Sequence, residues 1–222
     1  VQARINEVKL IGSFFQSRIS GDVKLLDETA KLDIVKKIPE SNLIQYDLKG
    51  VSKDHEYERR ALAKLILNST EFQAIRFSLP NGDMYLLEPY ENQLKLKDRN
   101  FAFRDWHVGA ITTLKPYVSE VFQSQATGEK AIAVSIPVFS REGNFNGLWG
   151  GLLFPKLFVQ QMQSLDLDDQ RIIIIDHKGN TVVDSQDYTA NPTKNFENLQ
   201  SYQLSRINHI GYVDENMNGV TM

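Results

Sequence analysis

Apolar residues Ile5, Val8, Ile11, Phe15, Ile19, Val23, Leu26, Ala30 and Ile34 recur at spacings of three and four. That stripe predicts one long helix over residues 1 to about 37. Gly12 and Gly21 each weaken it by about 1 kcal/mol relative to alanine, and Pro39 follows its end. Residues 54–68, "DHEYERRALAKLILN", have a charged front and an apolar back and predict a second helix. The period then changes from 3.6 to 2. "FQAIRFSLPNGDMYLLEPY" reads as two strands around Pro80-Asn81-Gly82-Asp83, a hairpin signal because Asn and Gly accept positive φ. Residues 91–116 read as irregular and polar. Three more strand-like runs follow, "YVSEVFQS", "KAIAVSIPVFS" and "FNGLWGGLLF", joined by the turn sequences "ATGE" and "REGN". The pattern predicts a five-stranded antiparallel sheet with helices and a long insertion.

"PKLFVQQMQSL" reads as a short amphipathic helix and "DLDDQ" as a linker. The hairpin pattern then returns in "RIIIIDHKGNTVVDS". Ala74–Leu87 and Ile172–Ser185 each hold a β run, a short turn with a glycine (Gly82, Gly179) and a second β run. Two such hairpins point to related modules in tandem. The second reads as incomplete: after "QDYTANPTKNFENLQ" come a short helix and "IGYVDENMNGVTM", where another strand pair is expected. The fold class is α+β: a long N-terminal helix, then two modules with antiparallel sheets.

Composition narrows the function mainly by exclusion. A net charge of −3 argues against nucleic acid, which requires a basic face. With no cysteine there is no disulfide, thiolate nucleophile or thiolate-held metal. His55, His107, His177 and His209 are scattered, with no pair at metal-ligand spacing. No Gly-x-Ser-x-Gly elbow is present, "GLWGG" lacks the Lys-Ser/Thr of a phosphate loop, and "DHKGN" lacks the alternating oxygens of a calcium loop. The expectation is no catalytic residue, no metal and no cofactor. No apolar run is long enough to span a membrane and no signal peptide is visible. The chain opens mid-pattern without methionine, so any membrane segments are expected outside it.

Phe101–Ala110, "FAFRDWHVGA", sets a guanidinium beside an indole. Two readings compete. Arg104 and Trp106 hold a ligand, or the arginine stacks on the ring, pairs with Asp105 or Asp98 and braces a loop. A planar guanidinium suits a carboxylate through two parallel hydrogen bonds. Tyr117 and Ser119 share one strand face two residues apart. Trp149 reads as core.

Arg104–Leu153 is the stretch that resembles the double Cache domain, the extracytoplasmic sensor of prokaryotic histidine kinases, chemoreceptors and cyclases. The resemblance rests on Arg104-Asp105-Trp106-His107, Tyr117-Val118-Ser119, Thr127-Gly128, Pro137-Val138 and Gly147-Leu148-Trp149-Gly150-Gly151-Leu152. It implies a helix over 1–40, a membrane-distal PAS-like ligand-binding module over 41–155, a connecting helix and linker over 156–167, and a truncated membrane-proximal module over 168–222. It implies a non-enzymatic sensor, with a histidine kinase as the expected output, that binds a small molecule. The long stripe of the N-terminal helix packs on its domain or forms a dimer seam, and a homodimer through residues such as Phe14 and Ile19 is the expected partner. The ligand residues the resemblance implies are Arg104, Trp106, His107, Tyr117 and Ser119; Tyr85 and Phe77, which share a hairpin facing the same region, are expected to line the pocket beside them. His107 stands where relatives carry tyrosine. Ser119 and Leu152 stand where amino-acid binders carry aspartates for the ammonium. The expected ligand is therefore a small carboxylate or other polar metabolite and not an α-amino acid. The alternative is a Cache-like structural or interaction module with no small ligand.

Overall fold

The computed structural model describes residues 2–156, 158, 171–186, 194–207, 216–217 and 220–221. The chain divides into two compact units, Ser20–Pro155 and Val1–Ile19 with Lys156–Met222.

Helix α1 (Gln2–Ala30) buries Ile11, Phe15, Leu26 and Ala30 of the predicted stripe, whereas Val8 of that stripe is exposed, as are Leu10 and Phe14 off it. It ends sooner than the periodicity predicts. The chain turns at Lys31–Leu32 and restarts as α2 (Asp33–Lys36). That break shifts the helical phase, so Val35 is buried where continuation would have buried Ile34. Helix α3 (Tyr57–Ser69) is the second predicted helix.

The Ser20–Pro155 unit is built on strands β1 (Ala74–Ser78), β2 (Met84–Glu88), β3 (Tyr117–Val118), β4 (Phe122–Gln123), β5 (Lys130–Phe139) and β6 (Phe145–Leu153). The order is β2-β1-β6-β5-β3, with β4 also on β5, and every pairing is antiparallel. Six strands replace the expected five because the run 117–124 is interrupted at Ser119. Its backbone N–H still donates to the Ala133 carbonyl at 2.9 Å. Its hydroxyl, however, accepts the Ala133 N–H at 2.9 Å and donates to the Glu120 carbonyl at 2.7 Å. A side chain thus takes the place of a backbone partner in the ladder.

The segment expected to be irregular holds α4 (Tyr90–Leu94) and α5 (Asp105–Thr113). Helix α5 has little apolar periodicity to announce it, but Asp105 in its first turn complements the helix dipole and Trp106 and Ala110 bury its inner face.

Strand alternation gives the sheet two dry faces. Phe77 and Trp149 are cross-strand partners on one, where Tyr85 joins them against α1 and α3. Ala74, Leu148 and Leu152 lie on the other, packed with Phe101, Trp106 and Ala110 from α5 and the loop before it.

The second unit contains the short strands β7 (Ile173–Ile175) and β8 (Thr181–Asp184), helix α6 (Gln200–Ser205), and β9 (Asn216–Met217) paired with β10 (Val220–Thr221). The amphipathic helix expected after Pro155 lies outside the described residues. The repeated hairpin is more detailed than the sequence implied. Gly82 and Gly179 both have positive φ, 89° and 81°. In the first hairpin Asn100 Nδ2 donates to the Asn81 carbonyl and to Asp83 Oδ1, and the Phe101 N–H donates to the Gly82 carbonyl. In the second, Asn195 Nδ2 donates to the Lys178 carbonyl and to Asn180 Oδ1, and the Phe196 N–H donates to the Gly179 carbonyl. Each module thus clamps its turn with an Asn-Phe pair a short step before a helix, α5 or α6.

Candidate ligand-binding site

Helix α5 begins at Asp105, so Arg104 occupies the N-cap position, with no capping hydrogen bond from its side chain, and Trp106 sits in the first turn with the indole turned onto the sheet. Opposite is Arg76, at the centre of β1. The sheet places it there because Ile75 and Phe77 point to the other face. Its guanidinium carbon lies 3.6 Å from the centre of the Trp106 ring. Nη2 donates to Ser135 Oγ at 2.6 Å, Nη1 reaches Ser78 Oγ only at 3.5 Å, and Nε has no partner. The side chain is 1% exposed. Among the described residues no carboxylate pairs with it. Burial pushes the guanidinium pKa down to about 9, which still leaves it charged at neutral pH.

Gly150 makes this position possible. It is the cross-strand partner of Arg76, and a β-carbon there would come within 2.7 Å of the Arg76 guanidinium carbon. The "GLWGG" stretch therefore carries a glycine where a charged group crosses the sheet.

Between Arg76, Trp106 and Arg104 lies a cavity of about 40 Å³ with apolar walls that include Met84, Leu87, Phe101 and Leu152. Ser124 and Gln125 add polar edges. The volume holds a water or two. Arg104 is half-buried, its guanidinium carbon 5.2 Å from the ring centres of both Phe103 and Phe122. Burial lowers its pKa, with Asp98 pulling the other way. Neither carboxylate of the bracing alternative pairs with it. Asp105 accepts the Tyr117 hydroxyl at 2.7 Å and the Glu120 N–H at 2.8 Å. Asp98 accepts Gln125 Nε2 at 2.6 Å.

The structure brings Arg104 and Trp106 together at this cavity and puts the other proposed residues elsewhere. Tyr117 holds Asp105, its phenol pushed up to about 12 by burial and then by that carboxylate. Ser119 is part of the β5 ladder. Tyr85 belongs to the opposite sheet face with Phe77, where its hydroxyl donates to Glu56 Oε1 at 2.8 Å and accepts the Glu40 N–H at 3.0 Å. Burial raises its pKa well above the usual phenol value.

His107 is 1% exposed, set beneath the β1–β2 turn near the backbone of Leu79, Pro80 and Ala102, and neither ring nitrogen completes a hydrogen bond. Tyr202 holds the same place in the second module, likewise the third residue of its helix, and there a hydroxyl does reach the turn, donating to the His177 carbonyl at 2.8 Å. Burial lowers the His107 pKa below its ordinary 6.5. The unfolded chain therefore binds a proton that the folded one refuses. Stability is intact above about pH 6.5 and falls as pH drops from there toward the folded pKa. Urea titrations at pH 7.5 and 5.5 are expected to show a smaller drop for His107→Phe than for the wild type; equal drops would place the pH dependence elsewhere.

Sequence reasoning missed Arg76. The signal was available: one arginine between Ile75 and Phe77 in the β run "AIRFSL" cannot reach water from a central strand.

The fold is similar to that of chemoreceptor sensor domains. The ligand-binding domain of the Pseudomonas aeruginosa PAO1 amino-acid chemoreceptor PctB, in complex with L-Gln, matches at a TM-score of 0.66 and 20% identity, over 100% of this chain and 81% of that one. The sensory domain of the Campylobacter jejuni chemoreceptor Tlp3 (CcmL), with isoleucine bound, matches at 0.63 and 15% identity, over 98% and 82%. The ligand-binding domain of the Pseudomonas fluorescens chemoreceptor CtaA, in complex with L-isoleucine, matches at 0.64 and 18% identity, over 99% and 82%. At such identities the likeness is one of fold. No family model matches the sequence, and no curated protein does. Among the described residues no helix is long and apolar enough to cross a membrane, and no group of side chains is arranged to hold a metal ion.

Proposed function

We propose that this chain is the extracytoplasmic ligand-sensing part of a membrane receptor, non-enzymatic, with its ligand site in the 41–155 module at Arg104, Trp106 and Arg76. A histidine kinase is the output domain we favour. One observation carries the reading: two guanidinium groups face one cavity whose described lining contains no carboxylate. A buried cation without a counter-charge is costly, and an anionic ligand would offset that cost. The similar chemoreceptor domains are described with L-Gln and isoleucine bound, but an α-amino acid also brings an ammonium. Here Leu152 is a cavity wall and Ser119 is committed to the β-ladder, so that ammonium would meet two arginines and no acid. A carboxylate or other oxyanion without an amine fits better.

Binding also supplies the switch. Specific ligand pockets run from about 300 Å³ upward, so a cavity of about 40 Å³ must open around α5 and the 122–126 loop to admit a metabolite. A ligand that binds only the opened arrangement biases the module toward it. The same small volume favours the second reading, a ligand-free Cache-like module whose pocket is filled by its own side chains.

A thermal-shift screen of the chain with carboxylates, amino acids, amines, sugars and purines separates the two. A ligand at a hundred times its dissociation constant stabilises by about 2.7 kcal/mol. A carboxylate hit lost in Arg104→Ala is expected. An amino-acid hit would overturn the exclusion of the ammonium, and no hit in any class would favour the ligand-free module.

A further inference from the structure

We propose that the cavity selects a doubly charged small anion, one oxyanion edge meeting Arg76 and the other Arg104. This rests on the sensing reading above and goes past it in naming the ligand's charge. Arg76 is unlike an ordinary buried arginine. It is held by one good hydrogen bond to a neutral hydroxyl, its Nε is left without a partner, and it lies on an indole that closes one side. The contrast within the same unit is Arg60 on α3, buried to a similar degree but paired with Glu88 Oε1 at 2.6 Å. This fold supplies a carboxylate where a buried arginine is structural, and supplies none to Arg76.

The second module provides an internal comparison. Its hairpin has the same register, with Ile174 across from Val183 as Phe77 is from Leu86, and a bulge one step later in both. By that register Ile173 occupies the place of Arg76. By the Asn-Phe clamp, Leu199 occupies the place of Arg104 at the start of its helix. Both positions are apolar there. The scaffold needs neither arginine, so the pair belongs to what the first module binds. Arg104 alone would suit a monoanion; the second guanidinium, deeper and otherwise uncompensated, asks for a second negative charge.

The test uses the whole chain at constant ionic strength and pH 7.5, with malonate and succinate as two-ended dianions, sulfate and inorganic phosphate as single-centre ones, and acetate and propionate as monoanions. Dianions are expected to bind at least about tenfold more tightly than monoanions, the yield of one added charge-assisted hydrogen bond. The dicarboxylate and single-centre arms tell which kind of dianion is preferred. Arg76→Met is expected to abolish the preference while weak acetate binding persists through Arg104. Arg76→Lys, which keeps the charge and loses the fork, is expected to retain part of it. Should these variants not fold, the arginine Nε–H resonances of the wild-type chain carry the test: a dianion is expected to move those of both Arg76 and Arg104, and acetate that of Arg104 alone. Equal affinity for acetate and malonate, dependent on Arg104, would overturn the dianion inference and leave the sensing proposal standing. Absence of binding by any anion would overturn both.

Discussion

Glu88→Ala is expected to lower the stability of the Ser20–Pro155 unit by about 3–5 kcal/mol, the range for removing one partner of a buried ion pair. Glu88 is 2% exposed and Arg60 3%. Besides Glu88, the Arg60 guanidinium donates to the Val51 carbonyl at 3.0 Å and to Gln93 Oε1 at 3.3 Å, and its Nε donates to the His55 carbonyl at 3.2 Å. Gln93 extends the network by donating to the Leu48 and Val51 carbonyls and accepting the Leu87 N–H. Four segments meet at this one cation: α3, the 48–55 loop, the edge strand β2 and α4. Deleting the carboxylate leaves a charge in the interior with neutral acceptors only. Urea unfolding measures the effect, and a loss under 1 kcal/mol would show that water reaches the site. The double replacement Arg60→Met with Glu88→Leu separates the pair's net worth from the cost of breaking it, and is expected to recover most of the loss. Arg76 gives the opposite forecast. It already lacks a carboxylate, so Arg76→Met removes an uncompensated charge, and the ligand-free protein is expected to be as stable as the wild type or more so.

The parts of the fold legible in the sequence were those in which the periodic signal and the tertiary partner agree. The stripe of α1, the α3 amphipathy and both hairpin turns are of that kind, because each turn needs a glycine at positive φ wherever it is placed. What was not legible depended on distant partners. Nothing local says that the helix breaks at Lys31. Nothing in "YVSEVFQS" says that the Ser119 hydroxyl takes a backbone's place against Ala133. Helix α5 was hidden because its apolar positions are few and its stability comes from Trp106 and Ala110 seated on the sheet.

The site divides in the same way. Arg104 and Trp106 were readable as a pair from their spacing and from the resemblance of the surrounding stretch, and they do line one cavity. Tyr85 was placed by membership of the hairpin, which fixes a strand but not a face; the bulge between Phe77 and Ser78 sets the phase of β2, and with it the side on which Tyr85 emerges. Arg76 was passed over because β-strand patterning asks which residues are apolar, whereas its meaning lies in the missing carboxylate, a property of the assembled interior.

Trp149→Ala carries the other large expected effect, again about 3–5 kcal/mol, from the lost apolar burial and the cavity left behind. The indole is fully buried, packs 6.4 Å centre to centre from Phe77, and donates from Nε1 to Thr29 Oγ1 at 3.2 Å. Thr29 in turn donates to the Leu26 carbonyl at 2.9 Å. The side chain therefore joins the helix face of the sheet to α1, and truncation leaves both a void and an unsatisfied hydroxyl acceptor. Trp149→Phe, which keeps most of the volume and loses the N–H, is expected to cost about 1–2 kcal/mol. The next residue is Gly150, which faces the other way, toward Arg76. Adjacent substitutions on one strand should thus separate stability from recognition. Trp149→Phe is expected to lower the melting temperature and leave anion affinity unchanged. Gly150→Ala, whose β-carbon would crowd the Arg76 guanidinium, is expected to weaken anion binding by more than its effect on stability explains. Calorimetry on both variants checks this. Equal loss of affinity in the two would mean that the faces of the sheet are coupled through β6, and that the aromatic core on the α1 side takes part in ligand recognition.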